Sequence, residues 1–486
     1  MIDLNSHVRT LPGVYPASIN QVGRLFVFMV RETVADVIIA YGPGSEQFTG
    51  EPISSAGYNG VKAPLSHATA MRLRQLFPFT APSPVLTQPR TFGVGDRLGI
   101  ATPGHIRVFR DYDAKPVFAQ QSIRELTLTN RTFADVLDAV TFAVFREGYQ
   151  GGYGADGDHL KKPAEIEYAL SEGYTMITLD CSEHIDNAAA TMTDAEVDTT
   201  VKLPLELVDL YLGKSFDVEG MHIRFDIPAL KRAFLIYGAA IEFAAKMYET
   251  YFAGSKSDAD FEMSIDETAT PTSPAQHYFV ANELHRRGVH LATLAPRFCG
   301  EFQKGVDYAG DLADFERELK IHAAIARRFG YKLSIHSGSD KFSVFALIGK
   351  YTKGNFHVKT AGTNWLEAMK VVAAVDPSLY REIHAFAIAS FPEAKKFYHV
   401  TTDLSRIRPL DQISDSELPG LFAENDARQL IHITYGFILN AKNADGSSRF
   451  RERLYHLWRN HDEEYADALY GHIGKHLSLL YSGFRN

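Results

Sequence analysis

The chain predicts an α/β fold of the TIM-like (β/α)8-barrel class, with an N-terminal β-rich extension, an insertion after the third barrel strand and a helical C-terminal segment. Three observations predict it. Eight short apolar segments recur in order: RLGIATPGH, GYGADGDH, TMITLDCSE, FEMSIDE, HLATLAPRF, KLSIHSG, NFHVKTAG and YHVTTDL. Most are separated by stretches of helical periodicity, the alternation of a parallel barrel. Their ends carry Asp158-His159, Asp180, Asp266-Glu267, Arg297, His336, Lys359 and Asp403. Such barrels place their chemistry at the C-terminal ends of strands, and packing is a poor explanation for acids, imidazoles and cations gathered at one rim.

Residues 1–90 stand outside the repeat and form the extension; residues 91–486 form the barrel domain. Within the extension RLFVFMV and DVIIAYG read as strands bounded by Pro/Gly turns, and TAPSPVLTQPR reads as a connector. RLGIATPGH is the first barrel strand. Thr132 and Asp135 have the spacing of a capping box opening the next helix. Lys162-Pro163 suits the first turn of KPAEIEYALSEG. Residues 187–230, rich in Thr, Asp and Val, form the insertion, a segment of the kind that builds lids over barrel sites. DLADFERELKIHAAIARRFG is an amphipathic helix stopped by Gly330. After YHVTTDL the chain reads as helical.

Composition narrows the function. The chain has 486 residues, 45% of them apolar, enough for a large core. A net charge of −9 and the lack of a basic tract argue against a nucleic-acid partner. Two cysteines, Cys181 and Cys299, fit a reducing compartment. MIDLNSHVRTLPG shows no leader pattern, and AFLIYGAAIEFAAKMYETYF carries Glu242, Lys246 and Glu249, which fit a barrel helix and not a membrane span. A cytoplasmic location is expected.

Four constellations carry the chemistry. In GADGDHLK, Asp158 and His159 are neighbours that point in different directions, so one binds a metal while the other acts as a base. In RFCGEFQK, Glu301 and Gln303 share a side and offer oxygen donors, while Arg297 or Lys304 clamps a carboxylate. In SIHSGSDK, His336 ends a strand, and a hydrogen-bonded core histidine is the competing reading. In SIDET, Glu267 is the candidate acid/base. Lys359 and Asp403 hold equivalent positions, while His357 and His399 start strands and read as structural. Gly152-x-Gly154-x-x-Gly157 matches a dinucleotide fingerprint, but FAVFREGYQ before it is not the apolar strand that motif requires.

The segments GDRLGIATPGH, GGYGADGDHLK, TLDCSEHI, SIDET, APRFCGEFQKG, KLSIHSGSDKF, HVKTAGTNW and YHVTTDL together resemble the tagaturonate/fructuronate epimerase family, over about residues 95–403. The resemblance implies an isomerase of hexuronate catabolism that binds a divalent cation and a small hexuronate in its ketose form; histidine and oxygen ligation is compatible with Zn, Mn, Co, Ni or Fe. It implies Asp158 as proton acceptor, Glu267 as proton donor with Asp266 as the rival, His159 and His336 as metal ligands, and Glu301 or Gln303 as a third. The substrate carboxylate then needs a cation from Arg297, Lys161, Lys304 and Lys341, with Lys359 as a further substrate contact. The two sugars differ at ketose C4, whose C–H is β to the ketone and not acidified by it. Inversion therefore points to retro-aldol cleavage of C3–C4 and closure on the other face, with the cation as Lewis acid. Competing readings are a metal-dependent ketose 4-epimerase or aldolase acting on fructose or tagatose, an NAD-dependent epimerase, and a non-catalytic sugar-binding protein.

Overall fold

The computed structural model describes residues 4–55 and 57–485; residues 1–3, where the segment read for a leader begins, lie outside them. Near the N-terminus β1 (Asn20–Val22), β2 (Leu25–Arg31), β3 (Asp36–Tyr41), β4 (Glu51–Ser55) and β5 (Tyr58–Pro64) form an antiparallel sheet in the order β1-β2-β3-β5-β4. Both faces of β2 are covered. Leu25, Val27 and Met29 pack with Phe142 and Phe145, whereas Phe28 packs with Val8, Ile39 and Tyr41 on the other side. That division follows from the two-residue period of a strand.

Eight parallel strands close the barrel. They are β6 (Arg90–Val94), β7 (Lys115–Ser122), β8 (Gly154–Leu160) and β9 (Met176–Asp180), then, after a hairpin of β10 (Ser215–Val218) and β11 (Met221–Arg224), β12 (Asp260–Ile265), β13 (Thr293–Pro296), β14 (Lys332–Ile335) and β15 (Phe356–Thr360). β15 pairs with β6 to complete the ring. Helices follow most strands, with the predicted terminal signals. Thr132 and Asp135 cap the helix Phe133–Glu147, Pro163 opens the helix Pro163–Ser171, and Gly330 ends the helix Leu312–Phe329 at φ +79. No helix of the described residues is long and apolar enough to cross a membrane.

Two predicted strands are corrected. RLGIATPGH is a loop whose last four residues already form the first turn of the helix Thr102–Asp111. Its backbone is held by a side chain, since the Asp96 carboxylate accepts from Leu98 N and Ala101 N. YHVTTDL is extended but unpaired with any strand. Its amides find side chains instead, Thr401 N on Gln303 Oε1 and Asp403 N on Asp426 Oδ1. The true first and second strands are β6 and β7. The insertion therefore follows the fourth barrel strand and not the third.

The insertion is also not a lid. Its hairpin and helices lie on the outer helices of the barrel: Tyr211 donates to Glu283 (2.7 Å), Arg328 donates to the carbonyl of Asp217 (2.9 Å), and Lys231 pairs with Asp198 (2.7 Å). The segment over the barrel mouth comes instead from the C-terminal part, where Phe397, Tyr398 and His399 line the cleft. His399 thus belongs to the mouth, not to the start of a strand.

Candidate active site

A cavity of about 600 Å³ opens at the C-terminal ends of the strands, and a second of about 370 Å³ adjoins it. Arg124, Asp158, His159, Glu267 and Lys304 line both.

The ends of β8, β12 and β14 meet here. The pairing of β8 with β9 slips between Gly157 and Leu160, and His159 adopts φ +56 within that slip. A bulge re-aims side chains, and positive φ at a non-glycine residue is uncommon outside special sites. The consequence corrects the expectation that Asp158 and His159 diverge: His159 Nδ1 lies 2.8 Å from Asp158 Oδ1. The imidazole ring of His159 stands 4.9 Å, centre to centre, from that of His336. Asp266 completes a group with them, one ligand atom from each lying within 4.8 Å of the others.

His336 is oriented from behind. Its Nε2 lies 2.8 Å from Glu262 Oε1, and its Nδ1 faces Asp266 Oδ1 at 3.4 Å and makes no hydrogen bond. A buried imidazole tied at one nitrogen by a carboxylate and free at the other is the arrangement found at metal-binding histidines. Burial opposes protonation of His159, yet Asp158 and then Asp266 push its pKa up to about 10, so the field favours added positive charge. Two imidazoles and a carboxylate therefore fit a divalent cation with open positions.

Beneath this group is an ion network centred on Lys359, whose competing sequence reading is an ion-pair member; its partners Asp156 and Glu262 are what sequence reading missed. Lys359 Nζ contacts Asp156 (2.6 Å), Glu262 (2.8 Å) and Asp158 (2.9 Å), and the lysine is 4% exposed. Thr178 joins it by donating to Asp156 Oδ1 (2.9 Å) and Glu262 Oε1 (3.1 Å). Burial resists ionisation of Asp158, but Lys359 and then His159 overcome it and hold the carboxyl well below its ordinary range. Burial wins at Asp156, whose pKa rises to about 7 despite Lys359. A signal for this network existed. Glu262 and Ser264 on β12 share one parity with Asp266 just beyond its end, as Asp156 and Asp158 do on β8, and charged residues at alternate positions face the barrel interior.

The remaining predicted residues fall as follows. Glu267, 43% exposed, stands at the rim 3.9 Å from Arg124. Glu301 lines the cavity but faces Arg297 (3.9 Å) and His399 (3.7 Å). The amide oxygen of Gln303 is occupied by Thr401 N, Thr401 Oγ1 and Gln429 Nε2. Lys161 reaches Ser182 (2.9 Å) and Asp180 (3.5 Å). Arg297 donates to the carbonyl of Thr268, and Lys304 to Ser337 Oγ at 3.1 Å. Lys341 is fully buried and spends its ammonium on the carbonyls of Gln303, Val306 and Ser339. Gly152 to Gly157 runs into strand β8 and does not make the strand-to-helix turn of a dinucleotide site.

Comparison with known proteins adds an independent line. The family model described as UxaE, tagaturonate epimerase, matches residues 15–480. A tagaturonate/fructuronate epimerase of Thermotoga maritima is 42% identical over 473 residues, covering 96% of each chain. Crystal structures of a fructuronate-tagaturonate epimerase from Cohnella laeviribosi superpose along 98% of both chains. The glycerol-bound form gives a TM-score of 0.94 at 51% identity, and the native form 0.95 at 50%.

Proposed function

The chain belongs to the tagaturonate epimerase family, and from that premise we propose a divalent-metal-dependent epimerase that interconverts D-tagaturonate and D-fructuronate by opening and re-forming the C3–C4 bond. The observation that carries the metal-dependent reading is the convergence of His159, Asp266 and His336 beside Asp158 at the barrel mouth.

His159, Asp266 and His336 would hold the cation. When bound, a divalent cation would supply Lewis-acid chemistry for the ketose. Asp158 takes the proton of the C4 hydroxyl, because Lys359 and His159 keep it ionised while it faces the cavity. Glu267, on the rim, serves the opposite face and exchanges proton roles with Asp158 when the direction reverses. Phe397 and Tyr398 line the mouth and offer aromatic surface beside the aldehyde fragment as it turns. The cavity of about 600 Å³, lined by His159, Arg297 and Lys304, has room for a six-carbon acid.

The test is an epimerase assay on purified protein before and after chelation, with elemental analysis of the same samples. The proposal expects bound metal, loss of turnover on chelation and recovery on adding a divalent ion back. Full turnover by metal-free protein contradicts it.

A further inference from the structure

We infer that Lys304 and Arg124 hold the carboxylate of the substrate, where the two cavities meet; this rests on the uronate reading above. The argument is an accounting of cations. A uronate differs from the corresponding neutral ketose by a carboxylate in place of a hydroxymethyl group, so a uronate enzyme needs a cation that the protein has not already neutralised.

Most cations at the mouth are committed. Lys359 serves three carboxylates, and Lys341 serves three backbone carbonyls. Lys161 is taken by Asp180 and Ser182. Arg97, 2% exposed, pairs with Glu125 at 2.8 Å and stacks 3.8 Å over the Tyr435 ring. Arg297 donates to the carbonyl of Thr268, faces Glu301 at 3.9 Å and lines only the larger cavity, away from the junction of the two.

Two remain. Among the described residues Lys304 forms no ion pair, and its single hydrogen bond goes to the neutral hydroxyl of Ser337. Arg124 has three contacts, all long: 3.5 Å to the carbonyl of Phe397, 3.9 Å to Glu267, and 5.5 Å from its guanidinium to the centre of the Tyr398 ring. Both line both cavities, as do Asp158 and His159. A sugar whose C4 hydroxyl lies at Asp158 therefore has these two cations available for its far end. Charge-assisted bonds to a carboxylate are the strong class, and a guanidinium adds a two-pronged geometry that an ammonium lacks.

The test measures KM and kcat for D-fructuronate and D-fructose in wild type, Lys304→Met, Arg124→Met and Lys304→Arg, with metal content and thermal melts on each. Removing one charged partner raises KM for fructuronate about 10- to 100-fold. KM for fructose stays within about threefold, and Lys304→Arg recovers most of the loss. Equal changes for both sugars, or an unchanged KM for fructuronate, overturn the inference. If Lys304→Met fails to fold, Arg124→Met carries the same comparison, since its side chain is 45% exposed. If wild type turns over neither sugar, the epimerase reading fails, and calorimetric titration with each sugar decides the anion site separately. Selective binding of fructuronate that disappears in the variants sustains it; equal binding of both sugars overturns it.

Discussion

Replacing Lys359 with methionine removes the cation that three buried carboxylates share. The methionine fills similar volume, so packing is nearly conserved and the change is electrostatic. Asp156, Asp158 and Glu262 lie 2.6, 2.9 and 2.8 Å from the ammonium, and all are buried. Removing one partner of a buried pair costs about 3–5 kcal/mol, because the charges left behind lose their compensation. For 486 residues the entropy of unfolding is about 1 kcal/mol per kelvin, so the melting temperature falls by about 3–5 °C. The deficit depends on pH with a definite sign. Without Lys359 the pKa of Asp156, which burial already raises to about 7, moves further above its unfolded value. The stability contributed by its protonated form is present at low pH and lost as pH rises, so the gap between variant and wild type widens as pH rises to 8. Glu262 also loses the charge that orients His336, and metal affinity falls about 10- to 100-fold. The assay is a melt at several pH values with elemental analysis at each. A variant that melts with wild type, keeps its metal and shows only a raised KM refutes the reasoning and makes Lys359 a substrate contact.

Asp266→Asn is expected to lose bound metal, whereas Glu301→Gln retains it, because Asp266 stands with the imidazoles and Glu301 faces Arg297 and His399; elemental analysis of both separates the alternatives. Turnover in heavy water leaves C4 free of deuterium if the C3–C4 bond opens, and mass and NMR analysis of the product reads this directly; label at C4 means direct deprotonation. Burial lowers the pKa of His384 to about 4, against about 6.5 in the unfolded chain. The unfolded chain therefore takes the proton first as pH falls, and the contribution of His384 is full above pH 6.5 and lost between 6.5 and 4. At pH 5 this is about 2 kcal/mol, so His384→Leu reduces the melting-temperature loss between pH 7.5 and pH 5 by about 2 °C; an unchanged loss contradicts the assignment.

Six of the eight barrel strands were legible because each is a short apolar run with a polar tip, as in TMITLD and KLSI. The two missed strands lack that pattern. β6, RTFGV, follows the proline-rich connector directly and contains glycine. β7, KPVFAQQS, carries Pro116 and buries the polar Gln120 and Gln121. The two false strands have the right pattern, but Asp96, Gln303 and Asp426 satisfy their backbone in place of a neighbouring strand. At the site, His159 and His336 were readable as strand ends. The choice of Asp266 over Glu267 beside the imidazoles was readable from parity, since it alternates with Glu262 and Ser264. The joint aim of Asp158 and His159 was not readable, because it depends on a local slip in pairing and a positive φ that no periodicity announces.

The central claim is that residues distant in sequence gather one cation on which turnover depends. Its most direct measurement is metal content and uronate turnover in wild type against a His159→Ala/His336→Ala double variant with an unchanged melt. The account predicts stoichiometric metal and activity in wild type and loss of both in the variant. Equal metal and equal turnover in the two proteins would contradict it.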